Sequence, residues 1–121
     1  MDTVIDLRKR TKNFALRVIR AYAAMPKNTA AQVIGKQMLR AGTSVGAHYR
    51  EAARARSSAE FVSKIEGGLQ ELDEALYWME LSVESCVLKG ARMNPLMTEA
   101  NELIAILTRC AKNAKTKCRR S

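Results

Sequence analysis

Ser44, His48 and Glu51 stand four and then three residues apart, and His48 is the chain's single histidine. A serine, an imidazole and a carboxylate are the parts of a nucleophilic triad. Such a triad also needs a sharply presented nucleophile and an oxyanion hole. Spacings of four and three put all three residues along one edge of a single helix, where the backbone N–H groups are committed to the helix itself. The simpler expectation is a polar edge whose members hydrogen-bond to one another or to a packed neighbour. No catalytic residue is assigned.

Metal and cofactor chemistry fare no better. The cysteines, Cys86, Cys110 and Cys118, are three in number and form no CxxC pair. No two potential zinc ligands have the usual close spacing. Cys86 and Cys110 fall on apolar seams, where a free thiol behaves as a small hydrophobe. Gly42 and Gly46 are not followed by the Lys-Ser/Thr of a phosphate loop. Nothing alternates strand with helix as a nicotinamide or flavin fold requires. The expectation is no metal and no cofactor.

What positions these residues is read from period and caps. Val4, Leu7, Phe14, Val18, Tyr22 and Met25 repeat at helical spacing, and Pro26 follows, so a first helix is predicted over about 3–25. Asn28-Thr29 with Gln32 offers a cap and capping box, opening a second helix over 29–54 with Ile34, Met38, Ala41, Val45 and Ala52 inward. Ser57-Ser58-Ala59-Glu60 is another capping box. It starts a third helix over 58–89, whose seam is Val62, Ile65, Leu69, Leu72, Leu76, Met79, Val83 and Cys86, with Lys89-Gly90 as its stop. Asn94-Pro95 reads as a cap with proline at the first helical position, giving a fourth helix over 95–115. Its seam is Leu96, Ala100, Leu103, Leu107, Cys110 and Ala114, and a basic tail, 116–121, frays beyond it.

Four helices joined by short turns predict one all-α domain, 1–121, folded as an up-down-up-down four-helix bundle. Apolar residues make up 47% of the 121 and aromatics only 5%, which suits packed helices better than sheets. No apolar run approaches the ~20 residues of a membrane span, and the N-terminus has no signal-peptide pattern. A cytoplasmic protein with reduced thiols is expected.

The glycines of the second helix have their own logic. Gly35, Gly42, Gly46 and Ala53 fall in one narrow sector beside the core face. Each interior glycine costs about 1 kcal/mol relative to alanine, and close helix–helix approach is the gain that would offset it.

The net charge is +9, and it is unevenly spread. Residues 57–90 hold seven acidic and two basic side chains, whereas 1–26, 27–56 and 91–121 are all basic. Lys36, Arg40, Arg50 and Arg54 share one outward sector of the second helix. Lys9, Arg10, Arg17 and Arg20 lie opposite the core stripe of the first. Charge ordered in this way suits contacts to nucleic-acid phosphates, and the scarcity of aromatics favours backbone contacts over base stacking. The competing expectation is that these cations are solvated or paired with the acidic third helix.

Further apolar residues lie off the core faces: Ile5, Leu16 and Ile19 on the first helix, and Tyr77, Trp78, Leu81 and Leu88 on the third. Apolar patches left outside a monomer's core mark interfaces. Ile5, Leu16, Ile19, Tyr77, Trp78 and Leu81 are therefore assigned to a homo-oligomer interface. Alternatively, Tyr77, Trp78 and Leu81 receive a partner protein, and the chain is a structural adaptor.

The runs RTKNFALRVIRAYAAMPK, VIGKQMLRAGTSVGAHYREAARARSSAEFVSKI and LDEALYWMEL, from Thr11 to Leu81, resemble the four-helix-bundle proteins named for intervening sequences of bacterial 23S ribosomal RNA. The stretch from Gly42 to Phe61 is the most specific part. His48 departs from the asparagine expected there, which argues further against an essential imidazole. The resemblance implies a bacterial homopentamer forming a short barrel. The chain is also similar to the accessory variability proteins of diversity-generating retroelements, basic pentamers that bind nucleic acid and a reverse transcriptase. The resemblance offers no catalytic residues to carry over. The expectation is a non-enzymatic oligomer that binds RNA or DNA.

Overall fold

A computed structural model describes residues 6–120, with side chains as far as Lys117. Among the described residues there are four helices and no strand: α1 (Leu7–Ala23), α2 (Thr29–Ala53), α3 (Ser58–Glu84) and α4 (Gly90–Arg120). They form a four-helix bundle in which each helix packs on its two neighbours and neither diagonal pair, α1 with α3 or α2 with α4, comes into close contact.

Asp6 caps α1 by accepting a hydrogen bond from the Lys9 N–H. Helix α1 thus begins at Leu7 and ends at Ala23, shorter than 3–25; Val4 and Ile5 lie outside the described residues. Asn28 caps α2 through the Ala31 N–H. The expected Thr29–Gln32 box is not made, because Gln32 Oε1 accepts instead from the Tyr22 hydroxyl at 3.0 Å. Ser57 caps α3 by accepting from the Glu60 N–H, and the Glu60 carboxylate reaches back to the Arg56 N–H.

Two boundaries near the α3–α4 turn differ from expectation. Helix α3 stops at Glu84 rather than Lys89, and Cys86 adopts the left-handed region with φ 64°. The Ser82 carbonyl then accepts from both Val87 and Leu88 N–H, which closes the turn and buries Leu88. Helix α4 opens at Gly90 rather than Pro95, over the Lys89 carbonyl, which accepts from Arg92 and Met93. The earlier start buries Met93 completely. Pro95 sits inside the helix, at the cost of one N–H bond to the carbonyl of Ala91, an exposed residue where water can substitute. At its far end α4 continues through the expected basic tail to Arg120.

Phe14 and Val18 of α1, Met38 and Val45 of α2, Ile65, Leu72 and Met79 of α3, and Met93, Leu103 and Leu107 of α4 are fully buried. In α3 the buried stripe is Ile65, Gly68, Leu72, Ala75, Met79 and Ser82. It shares Ile65, Leu72 and Met79 with the predicted seam, but its other edge is made of small residues. Leu69, Leu76 and Val83 are only half-buried, and Cys86 is exposed in the turn. Hydrophobicity weights large side chains, whereas closest approach between helices selects small ones.

The same physics explains α2. A Cβ at Gly35 would lie 2.6 Å from a Tyr22 ring carbon, at Gly42 2.8 Å from a Val18 methyl, and at Gly46 3.2 Å from Thr11 Oγ1. The three glycines thus form the floor on which α1 lies. Ala53 does not belong with them. It is exposed, lying past Gly46 at the level of the start of α1, where no described residue covers it.

Candidate nucleic-acid interface

Ser44, His48 and Glu51 go to three different partners. Ser44 Oγ donates to the Arg40 carbonyl at 2.7 Å. Glu51 pairs with Lys64 of α3 at 3.2 Å. His48 lies over a glycine pair on α3: its Nδ1 would be 2.9 Å from a Cβ on Gly67, and its Cβ 3.5 Å from one on Gly68. The Nε2 is 3.7 Å from Glu71, while Nδ1 is buried without a hydrogen-bond partner among the described residues. The imidazole fills a packing site that Gly67 and Gly68 open, and Ser44 hydrogen-bonds to the Arg40 carbonyl rather than to it. Hydrophobic patterning misses these two glycines, although their adjacency inside an otherwise strong helical period is a visible signal.

The eight basic residues assigned to phosphate contacts divide into two groups. Arg10 is committed to α4: its Nε and Nη2 donate to the two Glu99 oxygens at 2.7 and 2.8 Å, and Nη2 also reaches Glu102 at 2.6 Å. The Glu99 hydrogen bonds raise the Arg10 pKa further above its ordinary value against the opposing effect of burial. Arg40 bridges Glu74 at 2.6 Å and Glu71 at 3.4 Å on α3. That contact raises the Arg40 pKa and holds the Glu74 carboxyl below the usual carboxylate range. These two arginines serve the bundle first.

The other six, Lys9, Arg17, Arg20, Lys36, Arg50 and Arg54, have no carboxylate partner among the described residues. All but Arg17 are exposed. Arg50 and Lys12 line a hollow between α1 and α2, beside Thr11, Ala15, Thr43, Gly46 and Ala47. Arg17 and Arg20 line another between α1 and α4 with Ala21, Leu96 and Arg92. Arg92 was not singled out by the sequence, because it belongs to a turn of α4 that the Asn94-Pro95 signal excluded.

The 23S rRNA-intervening sequence protein family matches residues 4–109. The chain belongs to that family. A member of the S23 ribosomal protein family from Bacteroides thetaiotaomicron VPI-5482, a protein of unknown function, has a similar crystal structure: TM-score 0.81 at 30% sequence identity, covering 88% of this chain and 98% of that one. No curated protein matches.

Within this intervening-sequence protein, Leu16, Ile19 and Tyr77 are 39%, 45% and 54% exposed. Val33 of α2, which lies on neither apolar stripe named above, is also exposed. Trp78 and Leu81 are half-buried. The Trp78 ring meets Tyr77 edge to face at 5.0 Å, and its Nε1 donates to Glu74 at 3.4 Å. Leu88 is part of the core.

No group of three or more His, Cys, Asp or Glu residues is arranged to hold a metal ion among the described residues. Nor is any described helix long and apolar enough to cross a membrane. Cys86 is exposed, whereas Cys110 is half-buried and its thiol pKa is pushed up by that burial. Because the thiolate is the reactive form, a limiting alkylating reagent at neutral pH should label Cys86 well before Cys110. Peptide mass spectrometry over time reads the order, and equal rates would contradict this placement.

Proposed function

We propose that this protein is a non-enzymatic, up-down-up-down homo-oligomer, a pentamer as the family resemblance implies, that binds RNA or DNA backbone in the cytoplasm. The observation that carries the binding reading is the pairing pattern. Among the described residues the lysines and arginines in ion pairs include Arg10, Arg40, Lys64 and Lys115, and six of the eight assigned cations on α1 and α2 have no carboxylate partner there. Cations that no carboxylate neutralises are the ones that release counterions when they meet phosphates.

Association is supported by the apolar residues left in solvent. Leu16 and Ile19 on α1 and Tyr77 on α3 lie on diagonally opposed helices of the bundle. Two distinct patches on opposite corners suit a head-to-tail contact, which closes into a ring.

The test is fluorescence anisotropy with a labelled single-stranded RNA and a duplex DNA across a salt series, on protein freed of nucleic acid and weighed by native mass spectrometry. Binding should weaken steeply with salt, and Lys36→Gln with Arg54→Gln should reduce the slope by about one for each phosphate no longer neutralised. Salt-insensitive binding, or none at low salt, overturns the nucleic-acid reading; a monomer overturns the assembly. A second reading, a protein adaptor, is favoured by the exposed Tyr77 against Trp78. It predicts that Trp78→Glu abolishes capture of a protein partner at unchanged oligomer mass.

A further inference from the structure

The seam between α1 and α4 carries opposite electrostatics at its two ends. At one end Arg10 is held by Glu99 and Glu102. Seven residues further along α1 stands Arg17, and seven residues back along α4 from Glu99 stands Arg92. Seven residues span about 10 Å of helix, nearly two turns, so both cations return to the same seam. There Arg17, Arg20 and Arg92 line one hollow of about 170 Å³, with the buried Ala21 and Leu96 completing its wall.

No acidic side chain lines that hollow, and none of the three arginines has a carboxylate partner among the described residues. Arg92 also lines an adjoining hollow of about 420 Å³ that includes Lys89. Like charges that share one hollow repel one another to a degree set by their separation and by the solvent between them. Arg92 also lies in the first turn of α4, where the helix dipole disfavours a cation. An anion seated among the guanidiniums would meet three donors of its opposite charge and the positive end of the α4 dipole together.

We propose that Arg17, Arg20 and Arg92 form a phosphate-binding site at the α1–α4 seam, with Lys89 extending it along the adjoining hollow. Guanidinium groups match phosphate oxygens through paired N–H donors. The hollow is walled on one side by the buried, apolar Ala21 and Leu96. The phosphate comes from a nucleic-acid backbone or from a free phosphate species. With the former source the site deepens the reading of the protein as a backbone binder and rests on it.

The experiment has two arms, both on the full chain and on the variants Arg92→Gln, Arg92→Lys and Arg17→Gln/Arg20→Gln/Arg92→Gln. In the first arm, melting is followed in inorganic phosphate and in pyrophosphate against sodium chloride at equal ionic strength. Phosphate should raise the wild-type Tm above that in chloride, Arg92→Gln should lose the increment, and Arg92→Lys should keep only part of it. In chloride the glutamine variants should melt no lower than wild type, which also shows that they fold.

The second arm measures oligonucleotide binding, where the triple variant should lose about tenfold in affinity or more. Phosphate stabilisation through Arg92 without oligonucleotide binding keeps the site, assigns it to free phosphate and removes the backbone reading. Oligonucleotide binding equal in wild type and triple variant, with no phosphate-specific stabilisation, overturns the site and leaves the backbone reading standing. Stabilisation that persists in the triple variant overturns it as well.

Discussion

Phe14→Ala lowers the unfolding free energy by about 3–5 kcal/mol, the range for removing a buried aromatic ring. Phe14 is fully buried on α1 and belongs to a core built by all four helices. Domains of this size are stable by only about 5–15 kcal/mol in total, so the variant should be marginal or unfolded at physiological temperature. Three of the fully buried core residues, Met38, Met79 and Met93, are methionines, whose unbranched side chains can turn into a vacated space. The loss should therefore fall toward the lower end of that range. Urea unfolding followed by circular dichroism checks it, and a loss under about 1 kcal/mol, the scale of a surface substitution, would show that Phe14 is not at the centre of the core.

Gly42→Val is the second large effect, and it runs against helix propensity. In an exposed helix, replacing glycine by alanine gains about 1 kcal/mol. At Gly42 a Cβ would lie 2.8 and 2.9 Å from the two methyls of Val18, which is fully buried and stiff about χ1 because it is β-branched. Neither side can yield without moving a helix. A branched side chain there should cost about 3 kcal/mol, the upper end of overpacking.

Gly35 and Gly46 set the scale. At Gly35 the obstructing atoms are the Tyr22 ring and the Met25 sulfur; the thioether moves cheaply, but the ring moves only by giving up its bond to Gln32. At Gly46 the nearest atom is Thr11 Oγ1 at 3.2 Å, so Gly46→Ala should be close to neutral. Chemical denaturation of the three alanine variants and Gly42→Val should rank Gly42 as most sensitive and Gly46 as least. A Gly42 variant more stable than wild type would mean that α1 does not lie on this glycine floor.

Parts of this molecule were legible from residue order alone, for reasons that are local. The capping box at Ser57 is legible because a cap is made within three residues of itself, whereas at Asn28-Thr29 the cap is Asn28 alone and the Thr29–Gln32 box is lost to Tyr22. The inward face of α2 also read correctly, since Ile34, Met38, Ala41, Val45 and Ala52 are all buried. The small residues of α2 announced close packing because glycine in mid-helix needs a compensating gain. Helix ends were harder. Cys86, a residue with no turn preference of its own, takes the left-handed conformation that ends α3, and Asn94-Pro95 was outweighed by the burial of Met93 in an earlier turn of α4.

The site itself was only half legible. Arg10 and Arg17 lie two turns apart on one side of one helix and are chemically identical as sequence, yet the first faces Glu99 and Glu102 and the second faces Arg92. In the same way, nothing near His48 in the chain points to Gly67 and Gly68 as the surface that receives it. Helical period determines in which direction a side chain leaves its own axis, and so the sequence determined four amphipathic helices and an excess of outward cations. What stands opposite each cation depends on which helices become neighbours and in what register. The glycine contacts of α2 and α3 hold part of that register, so only the tertiary structure decided which of these cations meet a carboxylate and which meet none among the described residues.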